Sequence, residues 1–230
     1  MTAPARLYFN LRSPYSWLAL HDLTEDHRDL ADVIDWRPCW EPSPASELRL
    51  NAAGGHFLYT KMSREKHLYI LGDVRRLAAE RGLRIVWPVD RSPCWEVPHL
   101  AYPLAVRAGA GREFALAVSR ARWERGMDIT DPAVLAGLAA DLGLDPARAA
   151  TAGQDPASAA AGTDMLLAAY RDGVFGVPFF VHRREKFWGI DRLAAFADSL
   201  RAARQPGTGA ISASTVAMAV SDDGHAGGCG

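Results

Sequence analysis

No Cys-x-x-Cys pair occurs anywhere in the 230 residues, and cysteine itself is scarce. Cys39, Cys94 and Cys229 lie far apart, which argues against a disulfide framework, a zinc ribbon and a dithiol redox centre. Cys39 and Cys94 each neighbour a tryptophan (Trp40, Trp95) and are expected as packed or half-buried thiols. Charge of one sign is not in excess either. The formal net charge is -1 at pH 7, so no bulk field draws the chain to nucleic acid or to an anionic membrane. No apolar stretch approaches the roughly 20 residues that a membrane span needs. Residues 1–7 show no charged region followed by an apolar core, so a cytoplasmic location is expected. His56, His67, His99 and His182 have no ligand spacing among themselves or with cysteines, so no metal is expected.

What the chain does have is material for a core. Hydrophobic residues make up 49% and charged residues 23%, as in an ordinary globular protein. Its length suits one large domain or a domain carrying an inserted subdomain.

Arg6-Leu7-Tyr8-Phe9-Asn10-Leu11 is rich in strand formers and predicts a buried strand. It runs into Ser13-Pro14, where serine is a preferred helix cap and proline a preferred first helical residue. Trp17, Leu18, Leu20 and Leu23 follow at helical spacing, and Asp32-Val33-Ile34-Asp35-Trp36-Arg37 alternates as a second strand up to Pro38. Strand, helix, strand predicts a right-handed crossover and a parallel pair. Residues 41–55 read as loop, with Pro42, Pro44 and Gly54-Gly55. Helices are expected over 59–81, 97–108, 112–125, 132–142 and 156–172, with 83–89 extended. Val177-Pro178-Phe179-Phe180-Val181-His182 and Lys186-Phe187-Trp188-Gly189 flank a charged turn and predict an antiparallel hairpin, followed by a helix over 191–201. The order is β-α-β, a helical block, then β-β-α. The expected fold is α/β, a small domain in two pieces, 5–44 and 173–203, interrupted by a helical subdomain at 45–172. The Gly-, Ala- and Ser-rich segment 204–230 is expected to be a disordered tail.

Three local features bear on chemistry. Ser13 heads the first helix, where free amides and the macrodipole favour negative charge. A thiolate docked there would be stabilised, and a serine hydroxyl would bond the sulfur without being redox-active. On the cap alone, a plain helix cap is the commoner explanation of Ser13. Val177-Pro178 opens the hairpin; with a cis bond Val177 would offer its amide and carbonyl to an extended ligand, and with a trans bond it would only mark an edge. In Trp188-Gly189-Ile190-Asp191-Arg192, Asp191 stands where a helix cap is expected, or where a carboxylate would grip an amino-acid-like ligand. Tyr15 and Trp17 flank a ligand or belong to the core. Arg12, just before Ser13, binds an acidic substrate or is a surface charge.

Taken in order, Tyr8-Phe9-Asn10-Leu11-Arg12-Ser13-Pro14-Tyr15-Ser16-Trp17-Leu18, Gly173-Val174-Phe175-Gly176-Val177-Pro178 and Phe187-Trp188-Gly189-Ile190-Asp191-Arg192-Leu193 resemble the family of 2-hydroxychromene-2-carboxylate isomerases and kappa-class glutathione transferases, relatives of DsbA-type oxidoreductases. Lys66-His67-Leu68-Tyr69 with Asp73 is a weaker match. The resemblance implies that the α/β domain at 5–44 and 173–203 is thioredoxin-like, and that glutathione, or another low-molecular-weight thiol, is its cofactor. Ser13 would bond the sulfur as the catalytic residue, Val177 before a cis Pro178 would hold the peptide backbone, Asp191 the γ-glutamyl end and Lys66 the glycyl carboxylate. Two serines at 13 and 16 cannot carry out thiol–disulfide exchange. The implied activity is a thiol-dependent isomerase acting by transient thiolate addition to a conjugated aromatic or enone substrate. A kappa-like transferase and a non-catalytic thiol-binding protein are the alternatives, and a homodimer is implied by the family. Asn10 and Arg12 depart from the commoner aspartate and apolar residue at these positions, and 41–56 matches neither branch.

Overall fold

The computed structural model describes residues 4–204 apart from Thr60, Lys61 and Ser92. β1 (Ala5–Phe9) leads through a tight turn into α1 (Pro14–Glu25), a short α2 (Arg28–Ala31) and β2 (Ile34–Pro38). Seven helices then intervene before the sheet resumes: α3 (Pro44–Ala52), α4 (Arg64–Glu80), α5 (Glu96–Arg107), α6 (Gly111–Trp123), α7 (Pro132–Asp141), α8 (Pro146–Ala150) and α9 (Pro156–Asp172). β3 (Phe179–His182) and β4 (Glu185–Trp188) form the hairpin, and α10 (Leu193–Arg204) closes the described chain. The expected tail reaches back to Arg204, which still belongs to α10; residues 205–230 lie outside the described residues.

The sheet order is β2-β1-β3-β4. β1 and β2 run parallel, with Leu7 opposite Trp36, while β3 is antiparallel to both β1 and β4. Alternation along β1 separates two faces. Leu7 and Phe9 join Trp36, Phe180, the inner residues of α1 and Phe196 of α10 in the main core. Tyr8 points the other way, into a second cluster with Phe179, Val181, Cys39 and Ala169 of α9. The main core continues unbroken into the helical segment through α5, whose Leu100, Ala101, Tyr102 and Ala105 are buried between the sheet and α6 and α9. This is a thioredoxin-like fold carrying extra helices between its two halves.

Helix starts are written in the sequence with one recurring device. Ser13, Ser43, Asp131, Asp145 and Asp155 each cap a helix whose first residue is proline, and each side-chain oxygen accepts an amide of the first turn. The Ser43-Pro44 pair corrects the expectation of a loop over 41–55: it opens α3, so one of the prolines that reads as loop punctuation is the helix start itself. The 59–81 helix begins later, at Arg64 behind the cap Ser63, and 83–89 joins no strand. Cys94 is exposed rather than packed, whereas Cys39 is fully buried and its thiol is pushed up to about 12 by that burial. Among the described residues no helix is long and apolar enough to cross a membrane.

Tyr102 of α5 ties the helices to the sheet, donating its hydroxyl proton to the Trp36 carbonyl at 2.8 Å while its ring meets Phe9 edge-on. Tyr102→Phe keeps the packing and removes the bond. It should lower stability by about 1 kcal/mol, read as a lower urea midpoint with an unchanged slope; an unshifted midpoint would show the bond to be dispensable.

Candidate functional site

β1 ends at Phe9, and the next seven residues are knitted into a single turn. The Ser13 amide donates to the Asn10 carbonyl at 2.9 Å, the Arg12 amide to Asn10 Oδ1 at 2.8 Å, and the Asn10 amide to the fully buried Ser16 Oγ at 3.1 Å. The Leu11 amide donates to His99 Nε2 of α5 at 3.1 Å. Ser13 Oγ accepts the Ser16 amide at 3.2 Å and so caps α1, half-buried where Ser16 is fully buried. Among the described residues the Ser13 hydroxyl proton and the Tyr15 amide have no acceptor, and neither do the Ser16 hydroxyl proton and the Asn10 side-chain NH2. Ser13 and Tyr15 sit at the positive end of the α1 dipole.

The second half of the site leaves β3. Tyr8 pairs with Phe179 at the end of that antiparallel ladder, so Val177, two residues before Phe179, lies at the end of the sheet where β1 leads into α1. The Val177–Pro178 bond is cis. Pro178 offers its carbonyl to the Gly189 amide at 3.0 Å, whereas the Val177 amide and carbonyl have no partner among the described residues. Trp188 of β4 lies over this segment: a Cβ added at Gly176 would stand 2.6 Å from the indole nitrogen and would push the ring aside. Phe175 meets Trp188 edge-on at 5.0 Å, and both rings are substantially exposed. Lys66, in the first turn of α4, places Nζ 6.0 Å from the Trp188 ring centre. α1 packs on the turn that follows β4, with Ile190 in one cluster with Tyr15 and Trp17. Ser13, Val177, Lys66 and the Asp191 turn thus belong to one end of the sheet.

Individual residues depart from expectation in instructive ways. Asp191 is not the cap of the last helix: Gly189, at φ +98°, swings the chain into a 3-10 turn, Ile190–Arg192, and α10 starts only at Leu193. Asp191 Oδ2 lies 2.8 Å from Arg192, and both side chains are open to solvent. Trp17 is core rather than ligand-flanking. It is 2% exposed, and its indole N–H donates to Glu124 at 3.1 Å. Tyr15 is half-buried and donates to Asp73 Oδ2 at 2.6 Å. Burial and this bond push the phenol well above its usual range, so it stays neutral. Asp73 also accepts from Tyr69 and Arg76, and these bonds hold its carboxyl low despite partial desolvation. Arg12 is exposed, with its guanidinium 4.9 Å from the Trp95 ring centre and its nearest carboxylate, Glu41, at 4.0 Å. Its charge is therefore largely unneutralised beside Ser13. Among the described residues no group of three or more His, Cys, Asp or Glu side chains is arranged to hold a metal ion.

His99 does not stand out in the sequence, because no cysteine or second histidine stands at ligand spacing from it. Its one visible signal is a lone polar side chain in an otherwise apolar helical run, Pro98 to Ala105, that is buried nearly all round.

A mixed sheet with one parallel pair, a helix starting at the head of β1 and a Val-Pro step alongside it define a thioredoxin-like protein, here with a hydroxyl at the head of the first helix. The chain belongs to the DsbA-like thioredoxin domain family, whose model matches residues 6–201. It is 29% identical over 194 residues, 84% of this chain and 95% of the relative, to a 2-hydroxychromene-2-carboxylate isomerase of Sphingobium xenophagum. Among solved structures, a 2-hydroxychromene-2-carboxylate isomerase aligns with a TM-score of 0.69 at 20% identity, covering 87% of this chain and 96% of that one. A cytosolic disulfide reductase DsbM of Pseudomonas aeruginosa, solved with GSH, aligns with a TM-score of 0.57 at 18% identity, covering 86% and 98%. At these identities the structural likenesses speak for the fold.

His99 also gives a pH prediction. Burial pushes its imidazole down to about 4, from an ordinary value near 6.5. The folded protein therefore favours the neutral ring, and the unfolded chain binds the extra proton first as pH falls. Stability from this group is complete above about pH 6.5 and is lost progressively towards pH 4. Between pH 7 and 5 the wild type should lose about 2 kcal/mol more than His99→Gln, measured by urea unfolding. His182 is also depressed, chiefly by burial, but contributes equally to both proteins. Parallel losses would show that His99 does not titrate in this way.

Proposed function

We propose that this chain is a glutathione-dependent isomerase of the 2-hydroxychromene-2-carboxylate isomerase type, acting in the cytoplasm as a homodimer on a conjugated aromatic or enone substrate. The observation that carries this is the pair of uncommitted donors at the head of α1, Ser13 O–H and the Tyr15 amide. Such a pair fits an anionic sulfur, and two charge-assisted bonds together with the helix dipole favour thiolate over thiol. Bound glutathione would supply a nucleophilic sulfur that adds reversibly to a conjugated carbon, lets the former double bond rotate and then leaves.

The chain's residues divide the remaining tasks. The free Val177 amide and carbonyl pair with an extended peptide as an added strand would. Lys66 meets a carboxylate at one end of that peptide, and Asp191 an ammonium at the other. Arg12, charged and open on the face of Trp95, receives an acidic group on the substrate. Tyr15, locked neutral on Asp73, walls the substrate side without donating a proton to it. Hydroxyls at 13 and 16 exclude disulfide exchange at this turn.

The direct test is turnover of cis-enone and hydroxychromene carboxylate substrates with and without glutathione, beside calorimetric titration of glutathione and one other low-molecular-weight thiol. Ser13→Ala should fold normally by circular dichroism and lose about tenfold or more in thiol-dependent rate, the worth of one hydrogen bond to a charged group. Wild-type rate in that variant removes Ser13 from the reaction. Saturable thiol binding without turnover makes the protein a thiol binder, and sulfur retained on the product makes it a kappa-like transferase.

A further inference from the structure

His99 lies in the first turn of α5, fully buried, with its ring stacked on Trp40 at 5.2 Å between centres. Its two nitrogens have separate duties. Nε2 faces the Leu11 amide at 3.1 Å, and Nδ1 lies 2.6 Å from the Trp95 carbonyl. An amide only donates, so Nε2 carries no proton, and Nδ1 donates to the carbonyl. Only the neutral ring in that tautomer satisfies both partners. Leu11 is itself fully buried, so its amide would otherwise be left unpaired away from water.

The same helical turn reaches a second loop. Glu96 accepts the Ser43 amide at 3.0 Å and faces the Trp40 indole nitrogen at 3.5 Å. The loops that leave the ends of the parallel strands β1 and β2 are thereby held by one turn of one helix, across sequence separations of 88 and 53 residues. Leu11 stands two residues before Ser13 in a turn whose other amides, apart from Tyr15, are bonded within the turn. Its bond to His99 is the one that references the turn to the helical segment.

We propose that His99 is a positioning residue for the thiol site, holding the Leu11 amide so that Ser13 O–H and the Tyr15 amide converge on one sulfur. The proposal rests on the thiol assignment of Ser13. It adds that the pitch of the donors is set from α5, outside the sheet. A buried histidine with no carboxylate partner costs the fold more than an apolar residue of like size would. Its return is the acceptor it supplies to Leu11.

Three variants separate positioning from packing. In His99→Gln the side-chain carbonyl reaches about as far as Nε2 and keeps the acceptor. His99→Asn reaches only the Trp95 side, and His99→Leu fills the space without any acceptor. The readouts are glutathione affinity and the pH midpoint of ionisation of the bound thiol, followed by thiolate ultraviolet absorbance. His99→Gln should stay within about twofold of wild type, while His99→Asn and His99→Leu should bind about tenfold more weakly and raise the midpoint by about one pH unit. Loss of packing alone lowers the melting temperature and leaves the midpoint of the folded protein where it was. A wild-type midpoint in folded His99→Asn overturns the role of His99 and leaves the thiol assignment standing; no thiol binding by the wild type overturns both. Should the Asn and Leu variants fail to fold, amide hydrogen exchange in the wild type decides. Leu11 should be protected, and exchange at the rate of an exposed loop amide overturns the proposal.

Discussion

β1 and β3 pair antiparallel with Tyr8 opposite Phe179, and both strands stop within two residues of each other at the same end of the sheet. From this pairing the site follows. The chain leaving β1 has to turn into α1, so the positive head of that helix stands beside the segment entering β3. Val177 arrives there with its amide and carbonyl unpaired among the described residues, because strand pairing has not yet begun, and the head of α1 brings the Ser13 hydroxyl and the Tyr15 amide. One end of a four-stranded sheet thus presents backbone donors and acceptors with a dipole behind them, a surface suited to an extended ligand carrying a negative atom.

The sheet alone does not finish the site. Lys66, Tyr69 and Asp73 come from α4, and the Tyr15–Asp73 bond anchors the first turn of α1 to that helix. α4 is held to α1 a second time where Arg81 grips Asp22 through two bonds of 2.7 Å. α5 braces the β1 and β2 loops through His99 and Glu96, and its Tyr102 fastens to the Trp36 carbonyl. The helices between β2 and β3 therefore act as walls and braces of the site. Their shared core with the sheet makes them mechanically continuous with it.

Much of this architecture is legible in the amino-acid sequence. Tyr8-Phe9 running into Ser13-Pro14 announces a strand, a cap and a helix, because each residue type there has few other conformational homes. The Phe179-Phe180-Val181 and Lys186-Phe187-Trp188 runs announce a hairpin for the same reason. Legibility fails where one residue type serves two ends. Pro44 reads as loop punctuation, yet proline after a serine cap opens a helix, and α3 is hidden by that ambiguity. Asp191 looks like a cap because acidic residues favour that place, but Gly189 at positive φ starts a 3-10 turn that holds Asp191, and α10 begins only at Leu193. Trp17 offers an aromatic ring near Ser13, yet its direction on α1 points it inward to Glu124. His99 carries no motif at all: its partners are a backbone amide 88 residues away and a carbonyl one turn back, and long-range backbone bonds leave no pattern in the sequence.

A thiol ligand lying between the head of α1 and the Val177–Pro178 segment is the claim on which the functional reading stands. The most direct measurement is amide chemical-shift mapping of the labelled protein during titration with glutathione. Amides in 12–17 and in 176–179 should move together and saturate at one concentration. Shifts confined to one of the two segments, or gathered elsewhere on the surface, would contradict the claim.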